Sequence, residues 1–283
     1  QTFKNRLQDA IKPTTKETTL YSFSGNIAPV TSKQTIYSNI IPDQNGARTG
    51  GASNYSLRTA TEYSHFNGAQ PTGINGSVIS DPEAGRKAGI ANGNLRAQVA
   101  LVDPVLTYSM PPSMTANTGI DALAQAIAGI IAKCSTPVGD AIGYEAVRLM
   151  SSALVAAYKN GNDKAARSGM SAGSMMAGLT MNISDCTAEH SLGQAIGGLK
   201  HVPHGLTIGL VLVETLTREA KIVPEKLERV ADAMGVPVDG TSDGTRAVNA
   251  VRKILSDLDF PVLSSIGITH SDIDLLAENA MND

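Results

Sequence analysis

The spacing of hydrophobic and polar positions changes near Pro112. Beyond it, apolar residues recur every three to four positions, the period of a helix that buries one face. This pattern predicts helices over residues 114–132, 140–158, 165–183, 206–220, 224–234, 244–258 and 271–281. Thr115 or Thr118 reads as the N-cap of the first. Asn160-Gly161 ends the second, in which Tyr144, Val147, Leu149 and Leu154 are apolar positions, and Gly235 follows the 224–234 helix. The 165–183 segment is rich in Gly, Ala and Ser and carries Met170, Met175, Met176 and Met181. That composition predicts close helix packing, with the methionines in the core.

Before Pro112 the pattern is shorter in range. One short helix is predicted over residues 2–11, stopped by Pro13, and β-prone pieces fall at 19–23 and 34–41. Residues 45–72 are rich in Gly, Ser, Asn and Thr and read as loops. Residues 74–90 read as strand, turn, strand, with Asp81-Pro82 and Gly85 in the turn, and 98–102 as one more buried strand.

Composition narrows the function classes. The chain has 283 residues, enough for two modest domains, and 42% hydrophobic against 17% charged residues describes a soluble globular protein with a sizeable core. A net charge of -3 with no dense basic run argues against nucleic acid or an anionic membrane as partner. No run approaches the 18 apolar residues of a membrane span. Cys134 and Cys186 sit among small apolar residues without a paired spacing, and read as reduced core residues of a cytoplasmic protein. The first residue, Gln1, reads as the start of a processed or partial chain.

Candidate chemistry concentrates in two stretches. Residues 189–205, EHSLGQAIGGLKHVPHG, hold three of the five histidines, His190, His201 and His204. In residues 118–128, TGIDALAQAIA, Asp121 and Gln125 stand four apart, one helical turn, and project from one face. A carboxylate with two imidazoles suits a divalent first-row ion such as Fe(II) or Zn(II), with positions left open for substrate. The competing reading is that histidines near Gly and Pro bond to backbone in a turn.

The run 103–128, DPVLTYSMPPSMTANTGIDALAQAIA, followed by EHSLGQAIGGLKHVPHG, resembles the iron-containing (group III) alcohol dehydrogenase family, over residues 81–237. The resemblance implies the iron-alcohol-dehydrogenase, dehydroquinate-synthase-like architecture: a reduced α/β nucleotide-binding domain over 1–108, then an all-α metal-binding and catalytic domain over 109–283. It implies metal ligands at Asp121, Gln125, His190 and His204, the last two keeping the family's 14-residue spacing. Gln125 stands where the family has histidine, and a neutral amide is a weaker ligand. Gln194 replaces a further family histidine, and Ala128 a glutamate.

For the cofactor, NAD or NADP, the resemblance implies Thr59 and Thr61 in SLRTATEYSHF, and Lys87 at the end of the hairpin, which otherwise reads as a solvated turn charge. The family's GGGS phosphate loop is absent; GARTGGASN, residues 46–54, reads as a plain loop. The expected activity is metal-dependent, NAD(P)-linked oxidation of a small alcohol or reduction of an aldehyde or ketone. His201 reads either as a proton relay standing in for the missing histidine or as a turn histidine at the pocket rim. A metal-independent reductase of the maleylacetate-reductase type and a non-catalytic relative are the alternatives. A homo-oligomer is a family expectation.

Overall fold

The computed structural model describes residues 14–20, 30–36, 76–81, 86–91, 100 and 102–281. The chain divides into two compact units, Gln1–Thr61 and Glu62–Asp283. In the first, β1 (Thr14–Leu20) pairs antiparallel with β2 (Val30–Ile36), with Thr14 opposite Ile36 and Leu20 opposite Val30. The strands begin five and four residues earlier than the sequence pattern places them. Along this register Thr14, Thr15 and Thr19 pair with Ile36, Thr35 and Thr31, and β-branched residues of this kind favour strands. The predicted 2–11 helix and the 45–72 loops lie outside the described residues, as do residues 21–23 and 37–41.

The predicted hairpin lies in the second unit. Strand β3 (Gly76–Asp81) pairs antiparallel with β4 (Arg86–Ala91), which places Lys87 opposite Ser80. The expected strand over 98–102 is not formed at Ala100 or Val102, and its other residues are not described. A 3-10 turn, Pro104–Thr107, follows, with Asp103 Oδ1 accepting from the Val105 N–H at 2.9 Å.

Among the described residues eight α-helices follow, α1 (Pro112–Ile131), α2 (Pro137–Lys159), α3 (Lys164–Ser184), α4 (Ala188–Lys200), α5 (His204–Glu219), α6 (Pro224–Ala233), α7 (Thr245–Asp257) and α8 (Ile273–Met281), with two short 3-10 turns, Leu263–Ile266 and His270–Asp272, between the last two. Seven correspond to predicted helices. The eighth, α4, is the stretch whose histidines next to glycine and proline suggested turns. Leu192, Ala195, Ile196 and Leu199 give it an apolar face that packs with Val211 and Leu276, and this outweighs its glycines. Helix α1 begins earlier than expected, at Pro112, because proline is preorganised for the first helical position. Thr115 and Thr118 therefore sit inside the helix, not at its cap, and donate to the carbonyls of Pro111 and Met114.

Helix α1 is the centre of the unit. Being apolar nearly all round, it can be stable only if surrounded, and α2, α3 and α5 enclose it. Ile120, Leu123, Ile127 and Ile130 are fully buried, each contributing about 1.5–3 kcal/mol by the usual burial scale. Small residues set the spacing: a Cβ on Gly129 would come within 2.5 Å of Thr180 on α3. In α3 the small residues Gly173, Ser174, Ala177 and Gly178 are buried, as are Arg167 and Thr180, while Met170, Met175, Met176 and Met181 are only half-buried. The cysteines also depart from expectation. Cys134 is exposed in the turn after α1 and Cys186 is half-buried, and both are free thiols.

One buried cation ties α6 to α7. Arg246 bonds to Glu228 (2.6 Å), Asp232 (2.9 Å) and the carbonyls of Val236 and Pro237. Glu228 also accepts from the Gly244 N–H. Among the described residues, no helix is long and apolar enough to cross a membrane.

Candidate metal centre

Helix α1 has little polar surface, yet it buries Asp121 completely and Gln125 almost completely. Their i, i+4 spacing brings them together, and Gln125 Nε2 donates to Asp121 Oδ1 at 3.2 Å. Two helices bring imidazoles to the same carboxylate. His190, in the first turn of α4, has Nε2 3.6 Å from Asp121 Oδ1; His204, the first residue of α5, has Nε2 3.8 Å from it. The two rings lie 5.7 Å apart, tilted by 56°.

The chain reaches this arrangement through a tight connection. Helix α4 ends at His201, whose φ of 53° is left-handed and whose N–H bonds to the Gly197 carbonyl. Pro203 then precedes α5. Gly205 lets α5 press onto α1: a Cβ there would lie 2.0 Å from the Asn117 carbonyl oxygen. With the backbones in contact, His204 stands beside Asp121.

The distances from Asp121 to both histidines exceed hydrogen-bond length. Asp121 Oδ2 and His190 Nε2 are buried without a hydrogen-bond partner. Leaving such groups unsatisfied costs about 1–3 kcal/mol each. One ligand atom from each of Asp121, His190 and His204 lies within 4.8 Å of the others. Ligands around one tetrahedral Zn(II) or similar ion sit roughly 3.4 Å apart, given bonds of about 2.1 Å. A borderline-hard oxygen and two imidazoles, converging with orphaned atoms between them, fit a divalent cation.

A second layer supports the first. Glu189, also buried, places Oε1 2.7 Å from His190 Nδ1, and Thr187 Oγ1 donates to its Oε2. Burial opposes charge on His190, but the Cys186 thiol, Asp121 and Glu189 together hold its pKa well above the ordinary imidazole range. Burial likewise opposes charge on Glu189, yet the bonds from His190 and Thr187 keep its carboxyl below its usual value. Glu219, at the far end of α5, has its carboxyl pushed up to about 7, by burial first and then by the charge of Glu189. Sequence reasoning missed Glu189 and Glu219. The available signal for Glu189 was an acid one residue before a candidate ligand in the first turn of a helix.

The other expected residues are placed as follows. His201 is exposed, and its backbone ends α4. Lys87 lies on β4, which runs beside α4. Thr59 and Thr61 lie outside the described residues. Ala128 is buried in α1; Gln194, one turn after His190 on α4, has a buried Oε1 with no hydrogen-bond partner.

Residues 115–283 match the sequence profile of the Fe-containing alcohol dehydrogenase family, C-terminal. Choline dehydrogenase of Bacillus subtilis (strain 168) is 33% identical over 210 residues, covering 73% of this chain and 52% of that protein. NAD-dependent methanol dehydrogenase of Bacillus methanolicus is 30% identical over 220 residues, 76% of this chain and 57% of that one. The crystal structure of a 1,3-propanediol oxidoreductase superposes with a TM-score of 0.72 at 29% identity, covering 77% of this chain and 58% of that one. The chain thus spans little more than half the length of the proteins it matches.

Proposed function

Because the chain belongs to the Fe-containing alcohol dehydrogenase family, we propose that it forms the catalytic part of a metal-dependent, NAD(P)-linked alcohol dehydrogenase or aldehyde reductase acting on a small molecule. The observation that carries this reading is the convergence of Asp121, His190 and His204 with two orphaned buried ligand atoms between them. In this reading those three side chains hold Fe(II) or Zn(II), with Gln125 beside them as the neutral fourth. A bound ion supplies Lewis acidity to the substrate oxygen, and the nicotinamide carries the hydride.

The protein's own residues bind, orient and exclude water. Asp121 has no solvent access. The His204 side chain retains some exposure, so substrate approaches from that side. Gln194 turns the same way as His190 along α4 and offers its buried Oε1 to a substrate hydroxyl. We assign the nucleotide to residues 1–108, through Thr59, Thr61 and Lys87, as an α/β domain, and the chemistry to residues 109–283. A proton relay through the exposed His201 is tested by His201→Gln: an unchanged pH–rate profile removes it from the mechanism.

One feature favours a second reading. Gln125 in place of histidine weakens the ligand set, as a metal-independent reductase of the maleylacetate-reductase type would tolerate, whereas the buried Asp121 argues for the metal. Fluorescence titration with NADH and NADPH, followed by a substrate screen with and without Fe(II) or Zn(II), separates the readings. Saturable nucleotide binding with metal-stimulated turnover is expected. Turnover indifferent to metal and chelator selects the second reading, and absence of nucleotide binding overturns both.

A further inference from the structure

We infer that Glu189 is a positioning residue of the metal centre: its carboxylate keeps a proton on His190 Nδ1, so that Nε2, the nitrogen facing Asp121 and His204, is the one that ligates. The inference rests on the metal reading above and adds to it a residue outside the ligand set.

The geometry is not what a helix gives by default. Successive residues on a helix point about 100° apart and do not face each other. Glu189 nonetheless reaches His190 Nδ1 at 2.7 Å. Its other oxygen accepts from Thr187 Oγ1, so both ends of the carboxylate are held. Thr187 gives up something to do this. It occupies the N-cap of α4, where its hydroxyl oxygen would ordinarily accept from the backbone of the first turn, yet it makes no such capping bond. A lost cap costs about 1 kcal/mol.

The result is a chain of bonded groups, Thr187 to Glu189 to His190, that ends on an unpartnered Nε2. A histidine ligand whose second nitrogen donates to a carboxylate is fixed in tautomer and ring orientation, and removing the carboxylate weakens metal affinity by about 10–100-fold. An acid in the first turn also complements the helix dipole. That role would be served with the carboxylate in solvent, whereas Glu189 is buried against the imidazole.

The test uses the full chain and two readouts. The first is ring 15N NMR of the metal-free protein at alkaline pH, where His190 is neutral and its tautomer is visible. The second is Zn(II) affinity by competition with a chromogenic chelator. Wild type is expected to show the Nδ1–H form. Glu189→Ala is expected to lose that preference and to weaken Zn(II) about 10–100-fold. Glu189→Gln, which keeps an acceptor oxygen without the charge, is expected to fall between.

Unchanged tautomer and unchanged Zn(II) affinity in Glu189→Ala overturn the inference, as does an affinity loss with the tautomer intact, which would mark a merely structural role. If Glu189→Ala does not fold, Glu189→Gln and Thr187→Val decide on the same two readouts. A wild-type chain that binds no Zn(II) or Fe(II) overturns the metal reading itself. The tautomer, read without metal, keeps that failure distinct from a failure of Glu189 to position the ring.

Discussion

Arg246 and Asp121 are both buried charged residues of the helical unit, and the fold treats them in opposite ways. At Arg246 the guanidinium meets two carboxylates and two backbone carbonyls. At Asp121 the carboxylate keeps an oxygen unpaired, and His190 keeps a nitrogen unpaired beside it. The first arrangement spends its hydrogen-bonding capacity on holding α6, α7 and the segment between them together. The second withholds capacity at two of the groups that the proposed metal site would use as ligands. Neither burial nor an unpartnered atom alone sets Asp121 and His190 apart; the convergence of their ligand atoms with that of His204 does.

The contrast can be broken most forcefully at Arg246. Arg246→Met leaves the mostly buried Glu228 and the carbonyls of Val236 and Pro237 without their donor, while the exposed Asp232 returns to water, so it is expected to lower stability more than the other changes below, read by urea denaturation. A loss below about 1 kcal/mol would mean that the cluster is not the clamp its geometry suggests.

Asp121→Asn should behave differently. The metal-free protein is expected to unfold within about 1 kcal/mol of wild type. Wild type should gain about 2.7 kcal/mol from Fe(II) or Zn(II) at a hundred times the dissociation constant, and the variant should gain none. Equal metal-induced melting shifts in the two proteins would end the claim that Asp121 holds the ion.

Glu219 sharpens the comparison through pH. Its carboxyl is raised from 4.5 to about 7, so between these values the folded chain holds a proton that the unfolded chain has released. Wild-type stability therefore falls as pH rises through that window, and the penalty is complete above it. Glu219→Gln is expected to match wild type near pH 4.5 and to exceed it at pH 8 by roughly 2 kcal/mol, after allowance for partial exposure. The same difference at both pH values would assign the effect to packing.

The smallest expected effect is at Gln125. Restoring imidazole with Gln125→His should tighten metal binding about tenfold, near 1.4 kcal/mol. No gain would show that bracing Asp121, through the bond at 3.2 Å, matters more than ligation at this position.

What the sequence made legible follows from where the information is local. Seven helices were visible because each carries its own apolar period, and the Asp121, His190 and His204 group because its residues lie in two short, recognisable stretches. Helix α4 was hidden by Gly193, Gly197 and Gly198, which dilute the period without abolishing the helix once Ile196 and Leu199 are packed. The N-cap of α1 was misread because Pro111-Pro112 starts the helix before either threonine. Cys134 looked like core because its neighbours are small and apolar, but the chain has left α1 by then and turns through solvent. Glu189 left only a weak signal, an acid beside a candidate ligand, because its role depends on a side chain folding back onto its neighbour, which no periodicity encodes.

Gly205 has an implication for anyone who would move this centre into another helical scaffold. Copying the proposed ligands alone would fail, since any side chain at position 205 would strike the Asn117 carbonyl and wedge the two backbones apart. The unit to transplant is a set of donor groups together with one hydrogen atom where every other residue has a carbon.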